Sequence, residues 1–481
     1  MKLVLLSGGS GKRLWPLSND ARSKQFLKVL RAPDGSYESM VQRVWRQLAA
    51  AGLADRACIA TGGGQVDMIR SQLGVEVPVI AEPERRDTFP AVALAAAYLY
   101  SIEGTSLDET VVVLPVDPYV DEEFFVKLTE LDGYLRQSGA ELALIGAEPV
   151  LPSEKYGYIV PEPAAGASVG GGVSAGGDSA AEDARPRPYS RVRRFTEKPK
   201  RDAAEALLKE GALWNCGVFG FRLEYLVNRL IASGLPVHYE EMVRQYGRMP
   251  KISFDYEVVE KAEHIICTPY SGKWKDLGTW NTLTEELDTP QIGKGVVSED
   301  STGCHLINEL DIPVTVIGIR NAVIAASPDG ILVAEKEASP RIKDLLAGID
   351  PRPMYEERRW GWSRVLDYRS LSGGREVMTK RIGIAAGKHL SYQQHFKRRE
   401  VWTILDGSGE LVLDGSYRKV GAGDVVTIPP GAKHSLRAAC DLELIEVQSG
   451  SELVEEDIVR LTPDWAEIMQ EVSVYFEEQA E

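Results

Sequence analysis

Cysteine is scarce in this chain: five in 481 residues, Cys58, Cys216, Cys267, Cys304 and Cys440, with no paired spacing. That scatter excludes a zinc ribbon or a disulfide framework and fits a reducing, cytoplasmic setting. Cationic side chains are also in deficit. Lys and Arg total 55 against 71 Asp and Glu, a net charge of −16. A surface of that sign argues against nucleic acid or an anionic membrane as partner, so any polyanion must meet a local basic pocket. Apolar runs long enough to span a bilayer are missing, and no signal-peptide pattern precedes the first apolar run. A hydrophobic content of 44% suffices for buried cores, and the length predicts two or three domains.

From Met1 to about Thr289 apolar strands alternate with amphipathic helices, as in "VPVIAEP", "TFPAVALAAAYLY" and "TVVVLPVDPYVD", which predicts a layered α/β domain over 1–289. Within it, 164–185 is a Gly, Ala and Ser tract read as a flexible surface insertion. Short β-rich runs with turn residues and a helix-like "SPRIKDLLAGI" predict a small β linker domain over 290–350. After the Pro-rich break "DPRPMYEERRWGW", short strands from Tyr368 to about Ser449 predict a β-sandwich or barrel within 351–481, followed by a helical tail.

The first strand, Met1 to Leu6, runs into "SGGSGKRLWPLS". Two familiar phosphate loops fail here. The Walker spacing finds Leu6 and Arg13 where Gly and Ser or Thr are needed, and the dinucleotide pattern finds Leu14 where its third glycine belongs. The physics they share still applies: glycines at Gly8, Gly9 and Gly11, with Ser10, let backbone N–H groups approach an anion, while Lys12, Arg13, Arg22 and Lys24 can neutralise a polyphosphate.

Asp117 stands where a buried strand breaks at Pro118, and open α/β sheets bind ligands at such carboxyl-terminal strand edges. A carboxylate there suits Mg²⁺; alone it would equally be a turn-forming Asp. Asp276, in "GKWKDLGTWNTL", is a second candidate, alone no more than an approach to a helix N-cap. Glu197 and Lys198 in "RRFTEKPK", with Asn215 in "LWNCGVFGF", add a polar set able to hold a phosphorylated polyhydroxyl ligand.

Together, "LSGGSGKRLWPLS", "AEPERRDTFPAVALAA", "LPVDPYVD", "KYGYIVPE", "FTEKPK", "WNCGVFGF", "FDYEVVEK" and "WKDLGTWN" resemble the bacterial mannose-1-phosphate guanylyltransferases, in their long bifunctional form with a fused phosphomannose isomerase domain. The resemblance implies a Rossmann-like, glycosyltransferase-A-like nucleotidyltransferase domain that converts GTP and mannose 1-phosphate to GDP-mannose and pyrophosphate. It further implies that Gly8 to Lys12 wrap the nucleotide, with Arg13 and Lys24 on the triphosphate. Glu82 and Arg86 fall in the nucleotide-recognition segment. Asp117 and Asp276 would hold Mg²⁺, and Gly157, Glu197, Lys198 and Asn215 would contact the sugar phosphate. Asp87 stands where the family usually has Asn, and Pro118 where it usually has His. A homo-oligomer, a dimer, is expected.

A second constellation lies in "LSYQQHFKRREVW" and "GDVVTIPPGAKHSL". Residues two apart on a strand face one side, so Gln393 and His395 can share an interior point, with Glu400 and His434 completing a metal set for Zn²⁺ or another divalent transition ion. This resembles the cupin motifs, which implies a cupin barrel able to interconvert mannose 6-phosphate and fructose 6-phosphate. On alternation, Lys397 is expected to turn inward as a phosphate contact and Arg398 outward. The competing readings are a nucleotidyltransferase for another base or sugar, and a cupin that only senses ligand or dimerises.

Overall fold

The computed structural model describes residues 1–9, 12–162, 188–349 and 352–480, with backbone alone over 473–480. Ser10, Gly11 and the 164–185 tract lie outside the described residues. Among those described, a nine-stranded mixed sheet occupies the amino-terminal part, in the order Val79–Glu82, Ala57–Gly62, Lys2–Ser7, Thr110–Pro115, Leu213–Arg222, Leu142–Ala147, Ile265–Tyr270, Ser190–Thr196 and Tyr158–Pro161. The first four are mutually parallel. Leu213–Arg222 runs antiparallel to both its neighbours, Thr110–Pro115 and Leu142–Ala147.

Side chains alternate across this sheet into two cores. Val4, Val111 and Val113 face the helices Thr88–Ser101 and Leu223–Ala232. Leu3, Leu5, Val112 and Leu114 face Met40–Ala50, Val66–Leu73 and Glu123–Ser138. Strands buried on both faces explain why the sequence reads as continuous apolar runs here. The carboxyl ends of the parallel strands form the rim on which the first site is built.

The linker region stacks parallel strands and closes with Gly330–Glu335, antiparallel to Ala322–Ser327. Gln291–Gly293, His305–Asn308 and Ala322–Ser327 stack in register, and Gly295–Val297 stacks on Val314–Val316 beside them. This coil does not stand alone: Ile307, Val323, Ala325 and Ile342 share one core with Leu14, Leu17, Leu27, Leu277, Trp280 and Leu283 of the first domain. Arg22 belongs to this junction. It is buried and forms two 2.9 Å bonds to the Glu309 carboxylate. It therefore braces the loop from behind as a structural ion pair, and is not the polyphosphate partner that the sequence suggests.

The carboxyl-terminal part is an all-β cupin barrel of a six-stranded and a five-stranded sheet. Two elements differ from expectation. The Pro-rich break already contains the first barrel strand, Tyr355–Arg358, and the expected helical tail contributes the strand Ile458–Thr462, paired with Tyr392–His395, before the helix Trp465–Ala480 begins. Barrel closure supplies partners that local propensity does not reveal.

Tyr355–Arg358 also joins the two ends of the molecule. Tyr355 lies under the Arg22 guanidinium, and Glu357 accepts from Lys28, Ser71 and Gln72 of the first domain. The alternate residues, Glu356 and Arg358, line a cavity in the barrel. Trp280, fully buried and donating to the Trp15 carbonyl at 3.1 Å, is the largest side chain in the shared core. Trp280→Ala should lower unfolding stability by about 3–5 kcal/mol, measured as a reduced denaturation midpoint in urea.

Candidate functional site

A cavity of about 470 Å³ opens along the rim of the large sheet. One end is bordered by Gly8, Gly9, Glu82, Arg86 and Asp87, the other by Gly157, Glu197, Asn215 and Asp255; Asp117 and Asp276 also line it. The loop after the first strand is held from below, where Ser23 donates to the Gly9 carbonyl at 2.9 Å and itself accepts from Gln65 at 2.6 Å.

Asp117 and Asp276 converge because Pro118–Val120 pairs antiparallel with Trp274–Asp276, setting Asp276 opposite Pro118. Proline heads that short strand, a position that needs no N–H in the ladder. The Lys24 ammonium lies 2.7 Å from Asp117 Oδ2 and 3.2 Å from Asp276 Oδ1. Burial opposes its charge, yet the two carboxylates more than offset that and hold Lys24 above the ordinary lysine value. Two carboxylates converging on one cation suit a hard divalent ion that shares oxygen ligands with a phosphate.

At the first end, Glu82 is buried and accepts from the Tyr246 hydroxyl at 2.7 Å, and burial raises its pKa. Arg86 donates to the Met249 carbonyl at 2.7 Å. Asp87 adopts φ +70°, and its carboxylate accepts from Thr88 N at 2.8 Å, capping the Thr88–Ser101 helix. Lys12 pairs with Asp20 at 3.3 Å, and Arg13 is exposed and not among the residues lining the cavity.

At the other end, a bulge between Asn215 and Phe219, with Gly217 at φ +72°, turns Asn215 into the cavity. Gly157 packs close against this wall: a Cβ there would lie 2.5 Å from Glu197 Oε2, so Glu197 would have to shift to admit a side chain. Lys198 is paired with Glu197 and is held charged by Glu197 and Asp255 against its own burial. Asp255 escaped the sequence reading. It sits in "FDYEVVEK" among Glu257, Glu260 and Lys261, a charged run that reads as a solvated face, and only the fold brings it to Asn215, 2.8 Å away. Tyr156 and Trp274, packed edge to face at 5.3 Å, were also missed and border the same cavity.

In the barrel, His395, Glu400 and His434 are fully buried with their ligand atoms within 4.8 Å of one another. His395 Nδ1 faces the Arg398 carbonyl at 3.2 Å and His434 Nδ1 the Ala432 carbonyl at 3.0 Å, so each ring donates there and turns its Nε2 lone pair inward. Both Nε2 atoms lack a hydrogen-bond partner among the described residues and instead lie 3.0 and 3.8 Å from the Glu400 oxygens. Lone pairs facing a carboxylate repel unless a cation sits between them, so the donor set fits a divalent metal. Gln393 is the cross-strand partner of His434 and lines the barrel cavity of about 370 Å³.

That cavity corrects the expected orientation of Lys397 and Arg398. Arg398 is buried, donates to Glu400 at 3.2 Å and borders the cavity, whereas Lys397 is exposed and paired with Glu452. The chain bends at Phe396 and Lys397, and a new strand starts at Arg398, so alternation counted from His395 does not carry through. Arg358, Lys380 and Arg460 add positive charge to the wall. Glu446, also missed from sequence, shares Trp402 and Gln448 with Glu400, and burial followed by the Glu400 charge pushes its carboxyl up.

A mixed sheet with a carboxylate pair and a lysine at its rim suits a nucleotidyltransferase, and the chain belongs to the nucleotidyl transferase family, whose model matches residues 2–290. Residues 354–463 match the model of the mannose-6-phosphate isomerase C-terminal family. Across 95% of its length the chain is 30% identical to a mannose-1-phosphate guanylyltransferase of Salmonella montevideo, of which it covers 98%. It is equally 30% identical to the alginate biosynthesis protein AlgA of Pseudomonas putida, covering 94% of that protein. A solved Thermus thermophilus structure described as a mannose-1-phosphate geranyltransferase superposes with a TM-score of 0.56 at 27% identity, over 73% of this chain and 100% of that one.

Purified protein is expected to retain about one divalent transition-metal ion per chain after dialysis, and His434→Ala close to none. Elemental analysis of both proteins measures this; equal metal content in the two would remove His434 from the set.

Proposed function

We propose that this chain transfers GMP from GTP to mannose 1-phosphate, releasing GDP-mannose and pyrophosphate, and that its barrel interconverts mannose 6-phosphate and fructose 6-phosphate. We read the chain as a transferase domain over 1–289, a β linker over 290–350 and a cupin over 351–481. The observation that carries the first activity is the Lys24 ammonium between Asp117 and Asp276 at the strand rim. Similarity to curated guanylyltransferases along nearly the whole chain supports the choice of substrates.

The reaction needs no protein nucleophile. A phosphate oxygen of the sugar attacks the α-phosphorus in line while pyrophosphate leaves opposite, so the protein's contribution is alignment and charge neutralisation. Gly8 and Gly9 give the phosphates access to backbone N–H groups, and Lys24 holds positive charge where it accumulates. Asp117 and Asp276 would hold Mg²⁺, which supplies further neutralisation of the triphosphate. Glu197, Lys198 and Asn215 orient the sugar phosphate from the far end. In the barrel, Gln393, His395, Glu400 and His434 would hold a divalent metal that polarises the sugar carbonyl, and Arg358, Lys380, Arg398 and Arg460 suit the phosphate of a hexose 6-phosphate. A nucleoside triphosphate substrate suits a cytoplasmic location.

Lys24→Ala and Asp276→Ala should each lower pyrophosphorolysis of GDP-mannose by about two or more orders of magnitude, with GTP formation as the readout. Near-normal rates in both variants would remove the roles assigned to them.

A further inference from the structure

We propose that Asp255 is a positioning and specificity-determining residue for the sugar phosphate: it fixes the orientation of the Asn215 amide and supplies a carboxylate acceptor for a hexose hydroxyl. The inference rests on the guanylyltransferase reading above and adds to it a residue at the hexose end of the cavity.

The geometry leaves the Asn215 amide one orientation. Its Oδ1 accepts from Gly217 N at 3.0 Å, and its Nδ2 donates to Asp255 Oδ1 at 2.8 Å. Exchanging the two ends would set an NH₂ against an N–H and a carbonyl oxygen against a carboxylate, two repulsive contacts. Nδ2 carries a second hydrogen, so the amide keeps one donor for a ligand once the first is committed to Asp255. Without the carboxylate, only the weaker Gly217 contact distinguishes the two flips.

Asp255 also borders the cavity directly, on the wall shared with Glu197, Asn215 and Gly157. Helix capping does not account for the carboxylate. The Phe254–Glu257 turn is capped by Ser253, whose Oγ accepts from Tyr256 N at 3.3 Å. Burial and then the Glu197 charge push Asp255 up to about 7, so the protein bears a cost in keeping two acids together, offset in part by Lys198. The Lys198 charge and the Asn215 donor act the other way and favour the ionised form, and an ionised carboxylate only accepts. A paired-acid wall beside an amide donor therefore selects a ligand rich in hydroxyl hydrogens, and hexose epimers differ in where they present them.

The test compares the full-length wild type with Asp255→Asn, varying mannose 1-phosphate and GTP separately and substituting glucose 1-phosphate for mannose 1-phosphate. The expected result is a rise of about tenfold or more in KM for mannose 1-phosphate, with KM for GTP within about twofold. The preference for mannose 1-phosphate over glucose 1-phosphate should fall by a similar factor, at an unchanged melting temperature. In combination with Asn215→Ala, Asp255→Asn should add much less than its effect alone, since both act on one contact. An unchanged sugar KM and epimer preference would overturn the proposal. So would an equal rise in both KM values with a lowered melting temperature, which marks a purely structural role. A wild type that releases no pyrophosphate would instead sink the guanylyltransferase reading and this inference with it, whereas an active wild type with an unaltered variant removes Asp255 alone.

Discussion

The ion triad of Lys24, Asp117 and Asp276 is the constraint around which the amino-terminal half is arranged. Two carboxylates brought together at a sheet rim repel, and their convergence requires a cation. The short pairing of Pro118–Val120 with Trp274–Asp276 imposes the convergence, and Lys24 arrives on the turn that follows the glycine loop. Everything behind that turn stabilises its position. Ser23 and Gln65 hold it to the first two parallel strands, Arg22 is locked to Glu309 of the β coil, and Leu27 enters the core shared with Trp280. On the proposed reading, charge placed this way would need little reorganisation to receive a triphosphate, which is the property electrostatic catalysis depends on.

A second constraint is the strand Tyr355–Arg358. Its period of two puts Tyr355 and Glu357 against the transferase domain and Glu356 and Arg358 into the barrel cavity. One short strand thus ties the first domain to the wall of the barrel cavity. The β coil buries its apolar side against the loop that carries Arg22 and pairs Asp311 with Arg364 of the barrel, so the three parts pack as neighbours. The barrel site follows a different logic from the first. There a buried histidine pair and a carboxylate are poised for a softer metal, with arginines around the mouth, whereas the sheet rim offers oxygen ligands alone.

Much of this was legible in the sequence because the signals are local. Continuous apolar runs announced the doubly covered strands, and the breaks at Asp117–Pro118 and in "WKDLG" marked the rim carboxylates. The fold then brought Asp117, Asp276 and Lys24 together, and likewise His395, Glu400 and His434. What stayed hidden depends on long-range placement. Asp255 acquires meaning only when its turn packs against the Asn215 bulge, and Glu446 only when barrel closure sets it beside Glu400. Arg22 and Arg398 were misread for related reasons. The first is drawn backward by Glu309, almost three hundred residues away in sequence, and the second follows a bend that resets the alternation.

The central claim is tested most directly by incubating the purified chain with GTP and mannose 1-phosphate, with and without Mg²⁺, and following pyrophosphate release. Mg²⁺-dependent release accompanied by equimolar GDP-mannose is the predicted result. No release under any Mg²⁺ concentration, or release that persists after chelation, would contradict the account.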